Sequence, residues 1–223
     1  MSLRRNLLRS GSRDDFFTSS MNAEEKKSRL PRSEAATQRL FFALWPSEEV
    51  RAALAEVMAS LHARRAKPVA AENLHITLLF LGSVTAQTRI CAEKIAEGIA
   101  GYPFELRLDQ IGFWPKSGIV WLGARELPES LAALVRDLHL GITGCRIDLD
   151  ARPFKAHVTL MRKALVVRRE RSHVAVAWRV DDFGLVESKT NPDGSHYQVL
   201  TRWRLGADSR GAQGGLSGSS PYA

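Results

Sequence analysis

Between Arg39 and Arg204 the spacing of apolar positions changes several times, and each change marks an element. Arg39 to Trp45 is a short apolar run containing Phe41 and Phe42 and stopped by Pro46, which predicts a strand entering a turn. A helix is predicted next. Ser47 is placed to cap it, Glu48 and Glu49 favour its first turn, and Val50, Leu54, Val57, Met58 and Leu61 recur at helical spacing. Leu74 to Leu81 predicts a second strand closed by Gly82, and Ala86 to Ala100 a second helix with Ile90, Ile95 and Ile99 inward. The period then returns to two. Phe104, Leu106 and Leu108 alternate with polar neighbours, and the turn Trp114-Pro115-Lys116-Ser117-Gly118 leads into a strand from Ile119 to Leu122.

Leu127, Leu131, Leu134, Val135 and Leu138 mark a third helix. Pro153 precedes a strand from Ala156 to Met161, and Arg162 to Arg171 is a basic connection on the exposed side. Phe183 to Glu187 and His196 to Arg204 flank the turn Asn191-Pro192-Asp193-Gly194, the pattern of an antiparallel hairpin. Strands and helices mixed without strict βαβ alternation indicate an α+β fold.

Composition narrows the setting. The 223 residues are 44% apolar and hold no stretch near the ~18 apolar residues of a membrane helix, so a soluble protein with a real core is expected. The net charge of +8 is unevenly spread. Residues 1–38 carry eight basic and five acidic side chains without an apolar period and read as a disordered basic tail, with Met21 as an alternative start. Residues 207–223 read as a disordered Gly/Ser-rich tail, leaving a body at 39–206 with a net +5. Cys91 and Cys145 lie in no Cys-x-x-Cys pair and are expected to pack as small apolar residues in a reducing cytoplasm.

One tetrapeptide occurs twice: His75-Ile76-Thr77-Leu78 and His157-Val158-Thr159-Leu160. In a strand the His and Thr of each copy face one side while Ile76 and Leu78, or Val158 and Leu160, face the other. Two such strands would place two imidazoles and two hydroxyls around one cleft. An imidazole serves as base or acid near neutral pH, and a pair serves as both in one turnover. Cleavage of a phosphodiester needs that pair, with neutral hydroxyl donors to steady the charged oxygens. A lone His-x-Thr in a strand is ordinary; the repetition is what points to a site. No carboxylate or second histidine stands at metal-ligand spacing, so no metal and no cofactor is expected, and no phosphate loop implies ATP.

At these residues the chain resembles the two-histidine phosphoesterase superfamily, and within it the bacterial and archaeal RNA 2′,3′-cyclic phosphodiesterases, also called 2′-5′ RNA ligases. Arg39-Leu40-Phe41-Phe42-Ala43-Leu44 looks like the family's first strand, Glu72 to Leu78 through Phe80-Leu81-Gly82 like its first motif, and Val120-Trp121-Leu122-Gly123 like its central strand. Arg152-Pro153-Phe154-Lys155-Ala156-His157-Val158-Thr159-Leu160 looks like its second motif and Arg202-Trp203 like its closing strand. The resemblance implies a bilobal α+β fold with pseudo-twofold symmetry, two mainly antiparallel sheets around a central cleft and helices outside. It implies metal-independent hydrolysis of RNA 2′,3′-cyclic phosphate ends to 2′-phosphomonoesters, and the reverse ATP-independent 2′-5′ joining of RNA ends. His75 matches the family's proton donor and His157 its acceptor; Thr77, Thr159 and Arg162 match phosphate-binding positions. Phe42 is a candidate for stacking on the terminal base, with plain core packing as the alternative. The partner implied is RNA with a cyclic phosphate end, tRNA halves included, or a small cyclic nucleotide, for a cytoplasmic enzyme with monomer as the default. A non-catalytic RNA- or nucleotide-binding protein on the same fold is the competing expectation.

Overall fold

The computed structural model describes residues 36–149, 152–168, 175–191 and 194–206; apart from residues 36–38, the expected tails lie outside them. In chain order the elements are β1 Thr37–Leu44, α1 Glu48–Ser60, β2 His62–Arg64, β3 Lys67–Pro68, a 3₁₀ turn Ala71–Asn73, β4 Ile76–Thr85, α2 Ala86–Glu97, β5 Phe104–Leu108, β6 Gln110–Trp114, β7 Ile119–Gly123, α3 Glu129–Thr143, β8 His157–Arg162, β9 Val166–Arg168, β10 Val176–Val180, β11 Asp182–Asn191 and β12 Gly194–Arg204. The fold is α+β. Two four-stranded sheets, ordered β12-β11-β1-β4 and β3-β8-β7-β6, hold one copy of the His-x-Thr motif each, and β10-β5 and β2-β9 form two-stranded ribbons. All strand pairings are antiparallel.

Local chemistry explains where the elements start. The Ser47 hydroxyl accepts a hydrogen bond from the Val50 amide at the head of α1, and Thr85 does the same for Thr88 at the head of α2. The third helix buries Leu131, Leu134, Leu138 and Ile142 along one stripe. β5 and β10 alternate buried and exposed positions throughout, the period-two signal of a half-buried ribbon. Gly112 is a close approach: a Cβ there would lie 1.9 Å from the Trp121 ring, so glycine is what lets that indole lie flat across β6. One large core joins both four-stranded sheets, with Leu40, Phe42 and Leu44 of β1 packed in the same cluster as Val158 and Leu160 of β8.

Four expectations need correction. The second strand does not close at Gly82. That residue adopts φ +75°, a conformation glycine reaches without penalty, so pairing with β1 shifts register there and continues to Thr85. The second helix ends at Glu97, and Ile90 is 53% exposed while Ala92 and Ala96 are buried. The inward face is set by the close packing of α2 on α3, where a Cβ on Gly141 would lie 2.3 Å from the Ile95 side chain. That packing also joins the cysteines. Cys91 on α2 and Cys145, just beyond α3, form a disulfide with Cα atoms 5.8 Å apart, so they are cross-linked and not two free thiols. The expected connection from Arg162 contains β9, which pairs with β2, and its residues 169–171 lie outside the described residues. Among the described residues no helix is long and apolar enough to cross a membrane.

The disulfide spans 54 residues, and by the chain-entropy relation a loop of that length removes about 4 kcal/mol of denatured-state freedom. Reduction should therefore lower the midpoint of chemical denaturation while native circular dichroism is retained. An unchanged midpoint with and without reductant would mean that the bond contributes nothing.

Candidate active site

Each histidine is set by the same local device. His75 Nδ1 lies 2.7 Å from the Asn73 carbonyl oxygen, and His157 Nδ1 lies 2.7 Å from that of Lys155. A carbonyl only accepts, so in both rings Nδ1 carries the hydrogen and Nε2 is the nitrogen left for chemistry. His75 Nε2 is 3.2 Å from the Thr77 hydroxyl, which donates to it when the ring is neutral. The Asn73 carbonyl is itself held in place, because the Asn73 side-chain amide donates to the Ser195 carbonyl at 3.0 Å.

The pleat behaves as the tetrapeptides require. Ile76, Leu78, Val158 and Leu160 are 4% exposed or less, whereas His75, Thr77, His157 and Thr159 are half-buried. A register shift then occurs at the same place in both motifs. Phe42 pairs with Leu79 and Ala43 with Thr77, leaving Leu78 as the extra residue; Val120 pairs with Met161 and Trp121 with Thr159, leaving Leu160. An extra residue reverses the alternation beyond it. Leu79 and Met161 therefore turn into the core, and Phe80 and Arg162 emerge on the histidine face, five residues after each histidine.

The outcome is a cavity of about 440 Å³ lined by His75, Thr77, His157, Thr159 and Arg162 together with Arg39, Phe41, Phe80, Ser188, Ser195 and Tyr197. Five of the six residues expected from the sequence meet there. No carboxylate is among the lining residues, and Arg162 has no acidic partner among the described residues, so the cavity suits an anion. No grouping of three or more His, Cys, Asp or Glu side chains fit to hold a metal occurs among the described residues.

Phe42 is the exception. It is fully buried, its ring tilted against those of Phe183 and Trp203, so it packs on core rings and cannot reach a base. Its neighbour Phe41 takes the other face of β1 and lies 5.0 Å from the His75 ring. Several residues of the site are absent from the motif. Trp45 stacks parallel on His75 at 5.4 Å, Tyr197 meets the same ring edge-on at 5.0 Å, and Trp114 meets His157 edge-on at 4.8 Å. For Phe41 the apolar run of β1 left open which side meets the site; for Tyr197 and Trp114 no local pattern pointed to it.

These surroundings set the charge states. Burial among the aromatic rings pushes the His75 imidazole down to about 4, partly offset by the Asn73 carbonyl and reinforced by the nearby Arg162 and His157. Burial also lowers His157, offset by the Lys155 carbonyl and reinforced by the charges of Lys155 and Arg162. Both rings are neutral at pH 7 when the cavity is empty, and an anion bound between them favours their protonation.

Known proteins are similar to this chain in sequence and in fold. A family model described as LigT like Phosphoesterase matches residues 44–121. The chain is 35% identical over 170 residues to an RNA 2′,3′-cyclic phosphodiesterase of Escherichia coli, spanning 75% of this chain and 97% of that protein. It is 37% identical over 179 residues to a protein of the same name from Thermus thermophilus, spanning 75% of this chain and 90% of the other. Among solved structures, E. coli LigT complexed with 3′-AMP matches with a TM-score of 0.72 at 34% identity, covering 76% of this chain and 99% of that one.

Because burial is the largest cause of the His75 shift, Trp45→Ala should raise its pKa from about 4 toward 6.5. Imidazole C–H signals followed by NMR across pH 3–8 would show it. A titration that stays where it was would mean that the indole is not what keeps water from the ring.

Proposed function

The chain belongs to the LigT-like phosphoesterase family, and on that premise we propose that it opens RNA 2′,3′-cyclic phosphates to 2′-phosphomonoesters with His75 and His157 as its acid and base. One observation carries the assignment: two imidazoles, each with Nδ1 tied to a main-chain carbonyl, turn Nε2 to a cavity that has Arg162 and two threonine hydroxyls and, among the described residues, no carboxylate. In the reaction His157 Nε2 takes a proton from water as the water oxygen bonds to phosphorus. The bond from phosphorus to the ribose 3′-oxygen breaks, and His75 Nε2 delivers a proton to that oxygen. Thr77 and Thr159 donate to the non-bridging oxygens, and the Arg162 guanidinium offsets the charge that builds on them.

With a ribose 5′-hydroxyl in place of water, the same atoms join two RNA ends: the hydroxyl oxygen bonds to phosphorus, the bond to the 3′-oxygen breaks, and a 2′-5′ linkage results. His157 then takes the hydroxyl proton, and the energy comes from the cyclic ester without ATP. Residues 39–206 serve as the catalytic body, with one motif on each four-stranded sheet. The name of the relatives supports RNA ends as substrate. A monomeric enzyme of the cytoplasm is the setting proposed for this activity, a reading that free thiols no longer support now that Cys91 and Cys145 are joined.

The pH dependence follows from the site. Both histidines sit below 6.5 in the empty cavity, so the free enzyme loses its acidic proton on the acid side of neutral. The alkaline decline of kcat/KM should therefore lie below pH 6.5. The decline of kcat should lie at higher pH, because bound phosphate stabilises the imidazolium. Coincident declines would contradict the electrostatics proposed here.

The direct assay incubates the protein with an oligoribonucleotide ending in a 2′,3′-cyclic phosphate, with EDTA present. We expect a 2′-phosphate product and a loss of ~10²–10⁴-fold in rate for His75→Ala and for His157→Ala. If the wild type binds the oligonucleotide without converting it, the protein is a binding module; unchanged rates in both variants would remove the acid–base pair from the mechanism.

A further inference from the structure

Next to the catalytic cavity lies a larger one, of about 730 Å³, whose lining includes Thr77, Phe80 and His157 from the cavity itself. One wall is a face of α3 with Ala132, Val135, Arg136, His139 and Leu140, one step round the helix from the buried stripe. The opposite wall is the segment Arg152 to Lys155 that leads into the second motif, and Leu127 and Trp114 complete it.

Two properties of this groove are unusual together. Seven large apolar side chains remain exposed among the described residues, and three of them, Phe80 at 40%, Leu127 at 44% and Leu140 at 64%, line it. Clustered exposure of this kind marks a binding surface. Among the described residues the charged side chains of the lining are all cationic: Arg136, Arg152 and Lys155, with His139 beside them and no carboxylate. Arg136 shares its charge with Glu129 at 3.8 Å and Asp137 at 3.5 Å, both outside the lining. The exposed ring of Phe80 carries the Arg39 guanidinium carbon 4.8 Å from its centroid, at the point where cavity and groove join.

Apolar and aromatic surface rimmed by cations matches unstacked bases on a phosphate backbone. We propose that this groove binds the nucleotides preceding the cyclic phosphate, so that the site reads a strand and not only a terminal nucleotide. The inference rests on the proposed reaction at the cavity, because hydrolysis presents one strand whose next nucleotides are continuous with the phosphate held there. A second arm leaves the cavity on the His75 side. It is about 360 Å³ and offers Lys67, Asn73 and Lys163 where the groove offers Phe80, Trp114, Leu127 and Leu140, so it suits phosphate better than bases.

The test compares adenosine 2′,3′-cyclic monophosphate with a short oligoribonucleotide ending in the same group. Leu140→Glu and Leu127→Glu place a carboxylate on exposed positions of the groove. They should lower kcat/KM for the oligonucleotide about tenfold or more while leaving the mononucleotide rate unchanged, which also shows that the fold is intact. Anisotropy of a fluorescent oligonucleotide ending in a 2′-phosphate reads the groove without turnover, and the same variants should weaken its binding by a similar factor. Equal losses on both substrates, or none, would overturn the proposal. So would a length-dependent loss from Lys67→Glu and Lys163→Glu in place of the groove variants, or a loss confined to the joining of a second strand. If the wild type cleaves neither substrate, the proposed reaction fails, and anisotropy still decides the groove.

Discussion

The site depends on a pair of consecutive buried residues in each motif strand, Leu78-Leu79 in one and Leu160-Met161 in the other. Perfect alternation would send one residue of each pair to the cavity. Both go to the core because the partner strand skips a residue there, and the skip brings Phe80 and Arg162 to the histidine face. Burying Ile76, Leu78, Val158 and Leu160 contributes about 6–12 kcal/mol as an upper estimate. That is comparable with the whole stability of an ordinary domain. A slip of one residue in either strand would expose these side chains and turn the imidazoles inward, so the core enforces the register on which the chemistry relies.

The polar part of the site is built from main chain more than from side-chain partners. A carboxylate behind each imidazole would have oriented it and also raised its pKa. Here a carbonyl two residues upstream orients each ring, and the cavity keeps a positive bias toward an anion. Burial then holds both rings neutral in the empty cavity, and in the proposed reaction the substrate's own phosphate supplies the charge that makes one of them an acid. Acid strength is thereby coupled to occupancy of the cavity.

The repeated tetrapeptide made His75, Thr77, His157 and Thr159 legible, because alternation in a strand assigns faces without knowledge of the fold. Arg162 came from the resemblance alone, since simple alternation from His157 would have turned it into the core. Phe42 was misplaced for a related reason. In the all-apolar run of β1 parity does not say which side meets the site, and that is decided by β11 and β4 pairing on either edge. The cysteines carried no signal, being 54 residues apart in sequence and joined only by the packing of two helices. The helices themselves, with Ser47 capping the first and an apolar stripe along the third, followed from local chemistry.

The two motifs are alike in backbone and unlike in surroundings, and the difference has a chemical direction. His75 lies among Trp45, Phe41 and Tyr197, with the ring held against parallel and perpendicular faces. His157 has Trp114 beside it and lies where the cavity meets the groove, with Lys155 over the Trp121 ring nearby. A base that activates water needs access to water, and an acid that protonates a departing ribose oxygen needs a closed site where its proton is not lost to solvent. The enclosed ring fits the second task and the open ring the first. In the proposed reaction the equivalent positions five residues on divide the substrate in the same way: Arg162 would offer charge to the phosphate, and Phe80 an aromatic face at the mouth of the groove.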